Sequence, residues 1–284
     1  MADQLSAPPA SPSLEEIEIQ LLLEGIALHY GYDFRDYALS PLRRNIVMSM
    51  AIEGVPTISR YQERILHDPE SMERFLNAVG VNVTSLFREA DSLLYLRREI
   101  VPWLRTFPSA RIWVAGCATG EEVVSLAIVL HETGILHRTR IYATDINEHS
   151  LTIARMRGYP LENVRSCEGD YLRSGGIGRL SDYYVPSEDA ACFDRSLTAN
   201  VTWARHNLAT DGSFNEFHLI LCTNVLGHFS RPLQQRVHSL LHDSLAPSGY
   251  LMLGRNDSDV GLRSEDHLYE RTQGQPGLYR MVRR

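Results

Sequence analysis

From Leu14 to about Leu104 the apolar positions recur at helical spacing. Leu21, Leu22, Ile26 and Leu28 follow a period near 3.6 and predict a first helix. Ser40 and Pro41 predict the start of a second. The hydroxyl would cap it, and the proline would sit at the first position, where a missing N–H costs little. Tyr61, Ile65 and Leu66 suit a third helix that ends near Asp68-Pro69. Met72, Phe75, Leu76 and Val79 suit a fourth. No strand pattern precedes Arg111, so the chain opens with a small all-helical domain.

At Arg111 the pattern changes. IWVAGC is a short apolar run that ends in a glycine-bearing turn, Gly116 to Gly120. A helical stretch follows, EEVVSLAIVLHETG, and then a second apolar run, RIYATDI. HLILCTNV at 218–225 and YLMLG near the C-terminus are further buried strands, separated by helix-like PLQQRVHSLLHDSL. Strands alternating with helices predict an α/β fold with a parallel sheet covered on both faces. Between about Tyr171 and Arg205 the rhythm breaks. The runs DYYVP, ACF and NVTWA there predict a small antiparallel β insertion. The expected division is a flexible tail at 1–13, a helical domain at 14–89 and a second domain at 90–284, with the insertion at about 171–205.

Composition narrows the classes. The 284 residues are 44% apolar and 22% charged, a globular balance that excludes a disordered chain. The net charge of −7 argues against a nucleic-acid partner. All 28 basic residues are Arg, which removes Schiff-base lysine chemistry and a P-loop lysine. Cys117, Cys167, Cys192 and Cys222 stand too far apart for a CxxC metal site and read as reduced thiols. No metal site is expected. The N-terminal stretch lacks a signal-peptide pattern, and no apolar run approaches the roughly 18–20 residues of a membrane helix. A cytoplasmic monomer without membrane insertion is expected.

The chemistry concentrates around the glycine turn. A turn of this kind between a strand and a helix N-terminus lets a ligand approach the backbone. Asp145 ends the next strand, 25 residues beyond Gly120, where an acid can accept hydrogen bonds from both ribose hydroxyls of an adenosyl group. The GxGxxG fingerprint is absent, and Glu121 and Glu122 open the helix. Carboxylates there repel a pyrophosphate and suit an ammonium. S-adenosylmethionine has a ribose, an ammonium and no phosphate.

Several segments carry a family resemblance. They are Arg43-Arg44, NVTSLFRE (82–89), WVAGCATGEEVVSLA (113–127), ATDI (143–146), ARMRGY (154–159), Asn207-Leu208, LILCTNVLGHF (219–229) and LAPSGYLMLG (245–254). Together they resemble the CheR family of chemotaxis protein-glutamate methyltransferases over nearly the whole chain. The resemblance implies a class I, Rossmann-like S-adenosylmethionine-dependent methyltransferase sheet behind the helical domain. It also implies transfer of the methyl to glutamate carboxylates of a chemoreceptor or related signalling protein. Asn82, Thr84 and Arg88 would line the cofactor and reaction site, with Arg88 holding either the methionine carboxylate or the substrate glutamate. Gly116 would pass close to the cofactor and Glu122 would meet its ammonium. Asp145 would hold the ribose, and Asn207 and Leu208 would flank the adenine. Thr223 and Asn224 would close the site. Arg88 and His228 are the expected catalytic residues. A glutamate is already ionised near neutral pH, so positioning and exclusion of water would supply most of the catalysis.

The chain departs from the family pattern at named positions. Where the family reads CRNVLIYF this chain reads CTNVLGHF, so Thr223 replaces an arginine and Gly227-His228 an Ile-Tyr pair. The tyrosine's place lies near the transferring methyl in the family. Val123-Val124-Ser125 replaces PYS, and Gly254-Arg255-Asn256-Asp257 replaces G-[HS]-S-E. These changes keep a second reading open, an S-adenosylmethionine- or S-adenosylhomocysteine-binding signalling adaptor with weak or no transferase activity. His238 and His242 read as solvated or capping histidines, and Asp257, Asp259, Glu265 and Asp266 as a solvated acidic loop. Arg35, Arg43, Arg44, Arg60 and Arg64 fit either a basic patch facing an acidic receptor helix or a salt-bridged helix face.

Overall fold

The computed structural model describes residues 12–79, 84–255, 257, 268–272 and 277–282. The helical part begins with α1 (Leu14–Tyr30), which starts on a capping box. The Ser13 hydroxyl accepts the Glu16 N–H at 3.3 Å, and the Glu16 carboxylate accepts the Ser13 N–H at 2.7 Å. The helices α2 (Leu39–Glu53), α3 (Ile58–His67) and α4 (Pro69–Val79) follow. Their core is Leu22, Ile26, Ile46, Tyr61, Ile65 and Phe75, all fully buried.

Two expectations for these helices need correction. Leu21 and Leu28 face out, and the buried face of α1 is Ile19, Leu22, Leu23 and Ile26. With Leu14, Ile17, Leu21 and Leu28 also apolar on its exposed side, α1 does not declare its inner face by spacing alone. Helix α2 starts at Leu39, one residue before the Ser-Pro pair, with Ala38 in the cap position and no side-chain cap. Instead the Ala38 N–H donates to the His228 carbonyl at 2.8 Å, so a contact with the second half of the chain fixes where α2 begins.

The chain crosses to the sheet through α5 (Ala90–Tyr95), a π-helical turn at Leu96–Ile100 and α6 (Val101–Leu104). Then β1 (Ala110–Ala115), α7 (Glu121–Glu132), β2 (Thr139–Asp145) and α8 (Glu148–Met156) form a βαβα unit. A small antiparallel sheet follows. It holds β3 (Gly158–Pro160), β4 (Tyr184–Pro186) and β5 (Ala190–Phe193), with β5 in the middle. Helices α9 (Leu161–Ser166) and α10 (Glu168–Arg173) lie between β3 and β4. Glu132 at the end of α7 pins this insert. Its carboxylate accepts the hydroxyls of Tyr171 at 2.6 Å and Tyr183 at 2.9 Å and pairs with Arg97.

The chain returns to the main sheet with β6 (Val201–Arg205) and β7 (Phe217–Cys222). It closes with α11 (Arg231–Asp243), β8 (Leu245–Leu253), β9 (Tyr269–Arg271) and β10 (Leu278–Met281). The main sheet, among the described residues, runs β6-β2-β1-β7-β8-β10-β9. Its first five strands are parallel, and β10 is antiparallel to both β8 and β9. NVTWA therefore does not belong to the antiparallel insert. As β6 it pairs in parallel with β2, Ile141 to Asp145 against Val201 to Arg205. Its short, half-exposed alternation is that of a strand at the sheet's edge.

His238 and His242 are 0% and 2% exposed and pack against Tyr269, so they are core rather than solvated histidines. Asp257 is 1% exposed, which removes it from any solvated acidic loop. Asp259, Glu265 and Asp266 lie outside the described residues. Arg43 pairs with Glu15, Arg35 with Glu24 and Asp33, and Arg64 with Glu53, so these three arginines sit on a salt-bridged face.

Candidate active site

The strand order reverses between β1 and β7, and a cavity opens at the C-terminal ends of both, where ligands of open α/β sheets bind. Four strand ends, the linker and the helical domain line it. Gly116, Cys117 and Ala118 follow β1, and Asp145, Ile146 and Asn147 follow or end β2. His206, Asn207 and Leu208 follow β6, and Thr223, Asn224, Val225 and His228 follow β7. Thr84, Phe87, Arg88 and Glu89 enter from the linker, and Phe34, Tyr37, Leu76 and Val79 from the helical domain.

Backbone geometry here is specialised. Gly116 has φ 75°, and a Cβ on it would meet Val225 Cγ2 at 2.6 Å. At Gly120, φ 92°, a Cβ would meet the Ala154 Cβ at 2.8 Å, so the turn and α8 need this glycine to pack. Phe87, Ala118 and Asn224, all cavity residues, are left-handed without being glycine. Such strain persists only where the surrounding structure enforces it, and it collects at functional sites.

The polar groups are held in place. Asp145 accepts the Ala118 N–H at 2.9 Å on one oxygen and the Asn147 N–H at 2.9 Å on the other. Each oxygen keeps room for another donor. Burial raises the Asp145 pKa, and these backbone bonds oppose the rise. The Glu122 carboxylate accepts the Thr223 hydroxyl at 2.8 Å. No salt bridge reaches Glu122 among the described residues, and burial lifts its pKa to about 7 against the opposing charge of Arg88. The Asn207 amide oxygen accepts the Ala209 N–H at 2.9 Å, which orients the side chain. Asp257 accepts the N–H groups of Val225 at 3.1 Å and Gly227 at 3.0 Å, tying down the loop that carries Asn224 and His228. Burial lowers the His228 pKa, which keeps the ring neutral near pH 7.

The structure thus gathers Thr84, Arg88, Gly116, Glu122, Asp145, Asn207, Leu208, Thr223, Asn224 and His228 around one cavity. Asn82 lies outside the described residues. Sequence reasoning missed the helical-domain wall, Phe34, Tyr37, Leu76 and Val79, whose spacing signals only a core. It also missed Asp257, whose acidic neighbourhood suggested a solvated loop. The substituted Val123-Val124-Ser125 lies beneath the site. The valines are core residues, and the Ser125 hydroxyl accepts the Phe87 N–H at 2.9 Å.

The residues fit an adenosylmethionine-type ligand. Asp145 is a fixed acceptor pair, Glu122 is a buried carboxylate with no salt bridge among the described residues, and Gly116 keeps clear a wall where a Cβ would meet Val225.

Comparison with known proteins agrees. The model of the CheR methyltransferase S-adenosylmethionine-binding domain matches residues 82–275, and that of the CheR methyltransferase all-alpha domain matches 17–79. A Pseudomonas putida protein named "Putative methyltransferase Cher3" is 45% identical over 86% of this chain and 89% of its own. A chemotaxis protein methyltransferase of Listeria innocua is 25% identical over 84% of this chain and 91% of its own. Among solved structures, the N-methyltransferase NodS of Bradyrhizobium japonicum with S-adenosylhomocysteine covers 71% of this chain and 90% of its own, at TM-score 0.40 and 14% identity. Among the described residues no helix is long and apolar enough to cross a membrane.

Proposed function

Because the chain belongs to the CheR methyltransferase family, we propose that it methylates glutamate side chains of a chemoreceptor or related signalling protein. The observation that carries this is the pairing in one cavity of two site carboxylates, Asp145 and Glu122, with the Arg88 guanidinium. When bound, S-adenosylmethionine supplies an electrophilic methyl whose loss leaves a neutral thioether.

The chain's own residues hold and orient. Asp145 takes the ribose hydroxyls on its two free acceptor positions. Asn207 and Leu208 flank the adenine. Gly116 admits the backbone-close part of the ligand, and Thr223 and Asn224 form the floor. Glu122, oriented by Thr223, holds the ammonium, and the ammonium in turn favours its ionised form. Arg88 brings a carboxylate in with fork geometry, either the methionine end of the cofactor or the substrate glutamate. Thr84 borders the same opening, and the motif gives Asn82 a part beside it. The neutral ring of His228 presents an aromatic face to positive charge without adding a cation. In this reading residues 14–89 face the protein substrate and lend Thr84 and Arg88 to the site, residues 90–284 hold most of the cofactor, and the chain works as a cytoplasmic monomer.

The test is tritiated methyl transfer to a membrane-free receptor signalling fragment. The readout is base-labile label released as methanol, for wild type and Arg88→Ala. The expected result is ester formation by the wild type and none by a folded Arg88→Ala variant. Binding of S-adenosylhomocysteine with no ester on any receptor fragment would point instead to an adaptor, the reading that Thr223 and His228 motivate.

A further inference from the structure

Tyr37 reaches the cavity from the segment between α1 and α2. Its backbone forms an antiparallel bridge with Phe229. Its ring meets Phe229 and Phe34 edge-on, both at 5.0 Å between centroids. The next residue, Ala38, is bonded to the His228 carbonyl. Two rings and two backbone contacts therefore hold the phenol against the cavity. Among the described residues no hydrogen bond reaches its hydroxyl.

Asp145 stands in the same cavity, close enough for its charge to act on the phenol. The two groups make no hydrogen bond to each other. Burial, and then the charges of Asp145 and Asp33, raise the Tyr37 pKa, so the phenol is a permanent donor at any physiological pH. A carboxylate only accepts. A cis diol placed between them gives its hydrogens to the carboxylate and is left with oxygen lone pairs that need a donor. The phenol is that donor.

We infer that Tyr37 is a cofactor-binding residue supplied by the helical domain, donating its phenolic hydrogen to a ribose hydroxyl oxygen while Asp145 accepts from the diol. The inference rests on the cofactor site proposed above. It makes the bound ribose a bridge between the two halves of the chain.

The test is calorimetric titration of S-adenosylhomocysteine and its 2′,3′-dideoxy analogue into wild type, Tyr37→Phe and Asp145→Ala. Phe keeps both ring contacts, and circular dichroism checks the fold. Tyr37→Phe should bind S-adenosylhomocysteine about 5–20-fold more weakly, the loss of one buried hydrogen bond. It should bind the dideoxy analogue as the wild type does, because that analogue has no hydroxyl for the phenol to meet. A merely structural tyrosine would weaken both ligands alike, and that result, or no loss at all, overturns the inference. If Asp145→Ala weakens S-adenosylhomocysteine while Tyr37→Phe does not, only the inference falls. If wild type does not bind, or Asp145→Ala binds equally well, the cofactor site itself is misplaced and the inference falls with it.

Discussion

Glu122 is a buried carboxylate in the first turn of α7. Burial raises its pKa to about 7, with Glu89 and Asp257 pushing the same way, and Thr223 and Arg88 opposing. Since the ordinary value is 4.5, the folded empty protein takes up a proton there that the unfolded chain does not hold. The empty protein loses stability as pH rises from about 4.5 to about 7, by an amount on the order of 3 kcal/mol. An ammonium at this position reverses the balance. Affinity for S-adenosylhomocysteine should therefore rise as pH rises toward and past 7, with protons released on binding below that pH. Glu122→Gln should melt higher than wild type when empty at pH 8, bind more weakly by about 1.5–3 kcal/mol, and release no proton. Calorimetry in buffers of different ionisation enthalpy reads the proton count. Equal proton release in both proteins would move the titrating group elsewhere.

The loop after β7 shows how an element can set a residue's chemistry. Asp257 fixes its backbone, and the same carboxylate raises the His228 pKa while burial and Arg44 of α2 lower it. The net direction is down. Methyl transfer at saturating cofactor should thus fall as pH drops through a value below the usual 6.5, when a charged ring would face the sulfonium. His228→Tyr should lose that acid limb in single-turnover assays from about pH 5 to 8, since a phenol stays neutral there. An unchanged profile would place His228 outside the reaction centre.

Elements also explain what the sequence disclosed. The runs at β1, β2 and β7 were legible because strands buried on both faces are continuously apolar. The glycine turn and Asp145 were legible because a close backbone approach and a strand-end acid leave a local signature. Strand β6 was not, because an edge strand with one wet face resembles a hairpin strand. Nor was the role of Asp257, whose meaning depends on two N–H groups some thirty positions upstream. Tyr37 gives no local sign of the cavity either, since only the docking of the two halves brings it there.

At the scale of the whole molecule that docking is the last variable. The Ser230 N–H donates to the Asp36 carbonyl at 2.8 Å, and Arg205 lies over the Tyr32 ring at 4.8 Å. The Asn147 amide donates to the Asn77 Oδ1 at 2.9 Å. Asn147 also donates its N–H to Asp145 and caps α8 through His149. A chain of bonds thus runs from α4 to Asp145, the acid proposed to hold the ribose. A ligand that needs both walls binds only the docked state and stabilises it by mass action, about 2.7 kcal/mol at a hundredfold excess over Kd. Saturating S-adenosylhomocysteine should therefore melt the helical part and the sheet in one calorimetric transition at a higher temperature. Asn77→Ala should weaken binding by about 0.5–1.5 kcal/mol, the worth of one intramolecular hydrogen bond. It should also shrink the ligand's thermal shift, although Asn77 lies outside the cavity lining. A helical part that melts separately at a temperature indifferent to the ligand would show that the sheet alone holds the cofactor.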